Sequence, residues 1–220
     1  TTLSAATGLS ASAAGAITGN AASTRAGTAA ITSTGGGVQL ATVTGPAGIV
    51  VSGVGDVSLT SATASAGTLS ATSSAGGLRY GTLTARGVAL SSGGLLAATT
   101  PTTGVQGGAI TSTEVDPLDA IRVTAAQGQV SLGALTATSG RVVVESTAGS
   151  LTTGNVTARA MSLDSGAGLS SGALSATLGD VQLIARNGSV AYTSATASGR
   201  VNMAAQRTAG STAVTTISGG

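Results

Sequence analysis

The feature that most limits what this chain can fold into is a repeat of close to twenty residues running along its length. From residue 121 the units occupy 121–140, 141–160, 161–179, 180–199 and 200–220, and upstream the same phase opens units at 8, 28, 48 and 68. Only 88–120 departs, being longer than one unit. Inside a unit the apolar residues alternate in three short bursts. In the unit from 121 these are Ile121 and Val123, Val130 and Leu132, then Leu135 and Ala137; in that from 180 they are Val181 and Leu183, Val190 and Tyr192, then Ala195 and Ala197. Period-two alternation over a few residues is a strand signal. Gly128 and Gly140, or Asn187-Gly188 and Gly199, stand between the bursts, where glycine is expected to supply the positive φ of tight corners.

Three strands and three corners per repeat predict an all-β fold, a right-handed parallel β-helix with one coil per unit, the hand following from the crossover rule for parallel strands. A lone coil has too few and too small apolar side chains to offset the entropy of ordering it, so only a stack is viable. About ten coils at a spacing of about 4.8 Å make a rod on the order of 50 Å long. Residues 1–220 are therefore expected to be a single β-helix segment with an irregular, insertion-bearing coil at 88–120. Thr1 begins inside repeat sequence and neither end offers a cap for its strand edges, so a longer chain or a filament is expected, with end-to-end or lateral self-association.

Composition removes most other classes. There is no His and no Cys, so the usual neutral-pH acid/base, the usual thiol nucleophile and the main zinc ligands are missing, and no cofactor is expected. With no Phe or Trp and only two Tyr, no large aromatic anchor organises a conventional core. Disorder conflicts with a mean hydropathy of +0.42 and only 7% charged residues. The net charge of +2 is spread thinly, which argues against a nucleic-acid partner. No apolar run is long enough to cross a bilayer, and no signal segment opens the chain.

The pattern V-x-L-x-A-x-x-G-x-V-x-x-G-x-L-x-A, carried by Val130–Ala137 through Val142–Ala158, resembles the shaft repeats of filamentous-haemagglutinin-like exoproteins, adhesins of the two-partner secretion class. The resemblance covers nearly the whole chain, with 88–120 the main gap. It implies a fibre exported across the Gram-negative outer membrane by a dedicated pore partner and displayed or released for adhesion, toward a host-cell, glycan or matrix receptor. The Asn-Pro-Asn motifs of that family's secretion domain do not occur in these residues. Zero cysteine suits a chain threaded unfolded through a pore, where a premature disulfide would block passage.

Several local motifs are weighed against this frame. Gly168-Leu169-Ser170-Ser171-Gly172 has the G-x-S-x-G form, but a Gly- and Ser-rich chain produces it by chance and no His exists to act as base. Gly55-Asp56 and Gly179-Asp180 stand alone instead of in the tandem units that bind calcium. Asp180 opens its coil as Arg200 opens the next, which predicts a stacked surface pair. Asn155-Val156-Thr157 and Asn187-Gly188-Ser189 are glycosylation sequons. The irregular stretch holds Pro101 and Pro117 with Glu114, Asp116 and Asp119, a candidate interaction loop for a cation or basic ligand.

The third strand of many coils is expected to point hydroxyls outward, a ladder of Thr42, Thr44, Thr63, Thr136, Thr138, Thr157, Thr177 and Thr196, with Arg86 and Arg159 interrupting it. Such a ladder makes ice binding a rival reading. A β-helical polysaccharide-degrading enzyme is a further one, although scattered acids and absent aromatic platforms argue against it. The expectation is a non-catalytic structural shaft of a secreted or cell-surface bacterial adhesin or fibre, serving adhesion or biofilm and matrix structure.

Overall fold

The computed structural model describes residues 1–97, 102–114 and 119–206, and the backbone of Ile217–Ser218. It is a parallel β-solenoid of about 10 turns, with coils stacked about 20 residues apart and no helix among the described residues. Each coil contributes one rung to each of three faces. On the first face Leu9 lies beside Ala29, Ala29 beside Ile49, Ile49 beside Leu69 and Leu69 beside Val88. The column continues through Ile121, Val142, Met161, Val181 and Val201. The second face stacks Ile17, Val38, Val57, Leu78, Val105, Val130, Leu151, Leu169 and Val190. The third stacks Ala22, Val43, Ala62, Leu83, Ile110, Leu135, Val156, Leu174 and Ala195.

Faces are not separate sheets. Val57–Ser73 and Leu78–Ser92 each run through all three without losing strand geometry. Alternation sends every second residue inward, and each of Ile31, Ile49, Leu59, Leu69, Leu83, Ile110, Leu135 and Leu163 is under 2% exposed. The result is a narrow core continuous along the axis. Hydrogen bonds run coil to coil, so each strand satisfies its neighbours above and below.

Coil boundaries read from the repeat fall within one residue of the observed register. Ile121 pairs with Val142, not Arg141, and a bulge between Asp119 and Ile121 absorbs the difference. The long unit is real: Val88 stacks directly on Ile121, so these two residues are one coil apart.

The corners differ from expectation in their cause. Gly128, at φ 73°, does occupy the left-handed region. Gly188 and Gly199 do not; they are needed because coils approach too closely for a side chain. A Cβ on Gly188 would sit 2.7 Å from the Gly168 nitrogen, and one on Gly199 would sit 2.9 Å from the Gly179 carbonyl carbon.

A second corner device uses serines that point inward. Ser33, Ser73, Ser92, Ser146 and Ser165 are all buried. Ser33 and Ser73 each donate to a corner carbonyl of the preceding coil, Gly15 and Gly55, at 2.7 Å. They also accept from Gly36 and Gly76 N–H three residues on. Ser146 and Ser165 repeat the donation to Gly128 and Gly149.

Candidate functional site

The third face carries the expected hydroxyls in a more regular form than the sequence suggested. Its central outward column reads Ser4, Ser23, Thr44, Thr63, Thr84, Thr111, Thr136, Thr157, Ser175 and Thr196, each a direct rung partner of the next. Alternation explains it: in every coil this position lies between two inward residues, as Thr63 lies between buried Ala62 and Ala64.

Thr44, Thr63, Thr136, Thr157 and Thr196 of the expected ladder belong to this column. Thr42 stands in the column before it, between Ala21 and Ser61. Thr138 and Thr177 lie two residues beyond Thr136 and Ser175, at the edge of the face. Arg86 and Arg159 occupy the same edge position after Thr84 and Thr157. They leave the central column unbroken but interrupt the edge column that holds Thr138 and Thr177, Arg159 standing between those two. Thr84, Thr111, Ser4 and Ser23 were missed, Thr111 because it sits in the irregular stretch whose phase could not be aligned.

The column's hydroxyls contrast with the inward serines. Among the described residues Thr44, Thr63, Thr84, Thr111, Thr136 and Thr157 make no side-chain hydrogen bond within the protein, and Thr196 donates to the Leu174 carbonyl at 3.3 Å. Charge is kept out of the paired rungs as well. Arg79 lies on the second face and Arg122, Glu145 and Asp164 on the first, whereas no described rung residue of the third face is charged.

The acids of the irregular coil are engaged by arginines. Glu114 meets Arg86 at 3.0 Å; Asp119 meets Arg141 at 2.8 Å and Arg122 at 3.3 Å. Asp116 lies outside the described residues. Among the described residues no group of three or more His, Cys, Asp or Glu is placed to hold a metal ion.

Isolated Asx residues act as staples between coils. Asp56 accepts from the N–H groups of Gly77 and Ala97, both at 2.9 Å, and so ties three coils together. Asp180 does stack on Arg200, but its partner is the Arg200 backbone N–H at 2.7 Å, where the sequence suggested an ion pair. Asn155 accepts from Ala173 N–H at 2.9 Å, while Asn187 is exposed at a turn. Ser171 of the G-x-S-x-G segment is buried and Ser170 exposed on the second face, on a strand running Leu169–Ala176. An open groove of about 290 Å³ along the second face is lined by Gln39, Asp56, Ser58, Arg79 and Leu96.

No protein-family model, curated protein or solved structure matches the chain.

Proposed function

We propose that the chain is a structural shaft segment of a secreted or cell-surface bacterial adhesin or fibre, exported through an outer-membrane pore partner and serving adhesion or biofilm and matrix structure. The observation that supports it best is axial continuity: three strand columns hold register through about 10 turns, including the coil that carries the insertion. Such a stack converts chain length directly into reach. Its buried corner serines and its Asx staples make coil-to-coil contacts. The repeat pattern that resembles two-partner secretion shafts supplies the export route and the adhesive role. The test uses the producing bacterium: antibody to the folded chain labels intact cells, and cells lacking the chain lose attachment to surfaces or to one another. Labelling only after lysis, or attachment unchanged by the loss, refutes the reading.

A further inference from the structure

We propose that the third face of the solenoid binds ice, through the hydroxyl and methyl groups of its central column and the hydroxyls beside it. The proposal is independent of the shaft reading, since a face can bind whatever the rod is part of.

Four observations point to crystalline water as the occupant. First, the column is unbroken from Ser4 to Thr196, with six consecutive threonines from Thr44 to Thr157. Second, further hydroxyls stand two residues away along the strand beside parts of it: Thr42, Ser61 and Thr82 on one side, and Thr113, Thr138 and Thr177 on the other, where Arg159 stands between the last two. Rungs are about 4.8 Å apart and alternate residues of a strand about 6.6–6.8 Å apart, so the column is a regular one-dimensional array that these neighbours widen locally into two dimensions. Third, the hydroxyls of the six consecutive threonines from Thr44 to Thr157 have no hydrogen-bond partner within the described protein, which leaves their donors and acceptors for water, whereas Thr196 donates to the Leu174 carbonyl. Fourth, no residue of the central column is charged, and Arg25, Arg86 and Arg159 stand only at one edge of the face, two residues from it. A charge would hold its own tight hydration shell and disrupt a regular layer.

Isolated surface hydroxyls order water one group at a time. A rigid grid instead fixes neighbouring waters relative to one another, and threonine's methyl group, stiff at χ1, limits how they can sit between columns. A face of ice is such a layer continued outward. Polysaccharide recognition would be expected to use aromatic platforms or buried polar pockets, and neither stands on this face.

The purified chain should produce thermal hysteresis and partition into a slowly growing ice front. Thr111→Lys and Thr136→Lys, which place charges on adjacent central rungs, should lose most of both effects. Thr136→Tyr, uncharged and favourable in a strand, should do the same by breaking flatness without unfolding the rung. Ser131→Lys, on the second face, should retain full activity, and circular dichroism should show all variants folded. Absence of hysteresis and ice partition in the native chain at millimolar concentration overturns the proposal, as does full activity in folded Thr136→Tyr. A concentration-dependent rise in mass, abolished by the same substitutions in a chain inactive on ice, would assign the face to a second copy and equally overturn it.

Discussion

Residue identity in this molecule is decided mainly by the coil above and the coil below. Gly36 and Gly15 both stand at corners, yet a Cβ on Gly36 would lie 2.6 Å from the Ala16 nitrogen, while one on Gly15 would meet nothing within 4 Å. Gly15→Ala should therefore be neutral or stabilise by about 0.4–1 kcal/mol through the unfolded chain, whereas Gly36→Ala should destabilise by more than that. Urea midpoints of the two variants check the contrast. The sequence shows both as corner glycines and cannot separate them, because the obstacle belongs to backbone about twenty residues away. The same holds for Ser73: its alternation with Leu69 and Ala71 marks it as inward, but its residue type suggests outward, and only the Gly55 carbonyl waiting across the corner resolves the conflict. Tyr80 is the opposite case, an inward residue whose polar atom finds no such acceptor. Its hydroxyl is buried without a partner among the described residues, and burial pushes its pKa far above the ordinary value. The unfolded chain releases that proton above about pH 10 while the folded chain keeps it, so stability should be level below that pH and fall above it by about 1.4 kcal/mol per unit. Tyr80→Phe should abolish the alkaline slope at little cost near neutrality, as thermal melts between pH 8 and 11 would show.

At the scale of the coil, the irregular unit shows which contacts tie a coil to its neighbours. Asp56 binds the N–H of Ala97 ahead of the second-face strand Thr103–Gly107, and Glu114 and Asp119 are gripped by Arg86, Arg122 and Arg141 after the third-face strand Ile110–Ser112. These two kinds of anchor should differ in strength. The arginines paired with Asp119 are about half exposed (50% and 52%), so their pairs are screened and contribute about 0–1 kcal/mol. Asp56→Ala leaves two backbone donors unpaired, one of them on the buried Gly77, a loss of about 1–3 kcal/mol. Asp56→Ala should therefore be the more destabilising, and raising the salt concentration should shrink the Asp119→Ala effect but not that of Asp56→Ala. Equal, equally salt-sensitive losses in chemical denaturation would contradict this. The coil's existence was readable as a break in the repeat. Its anchoring was not, because Asp56 lies in an earlier coil and nothing in Gly55-Asp56 alone announces a partner at Ala97.

For the whole molecule, the poverty of residue types is the consequence of stacking copies: a core one coil wide has room for Ala, Val, Leu and Ile, and it runs unbroken because each coil packs only on its neighbours. Cooperativity in such a stack passes through one interface at a time, so it should be severable. Leu135 is fully buried on the third face between Ile110 and Val156, and truncating it to Ala should cost about 2–5 kcal/mol. The two tyrosines lie on opposite sides of that rung, Tyr80 before the irregular coil and Tyr192 near the other end, and there is no tryptophan to mask them. Tyr80→Phe and Tyr192→Phe backgrounds therefore isolate the two halves by fluorescence. With Leu135 intact both probes should give one urea midpoint. In Leu135→Ala the midpoints should separate, the weakened interface letting one half unfold while the other persists; coincident midpoints shifted together would instead show that the stack communicates beyond nearest neighbours.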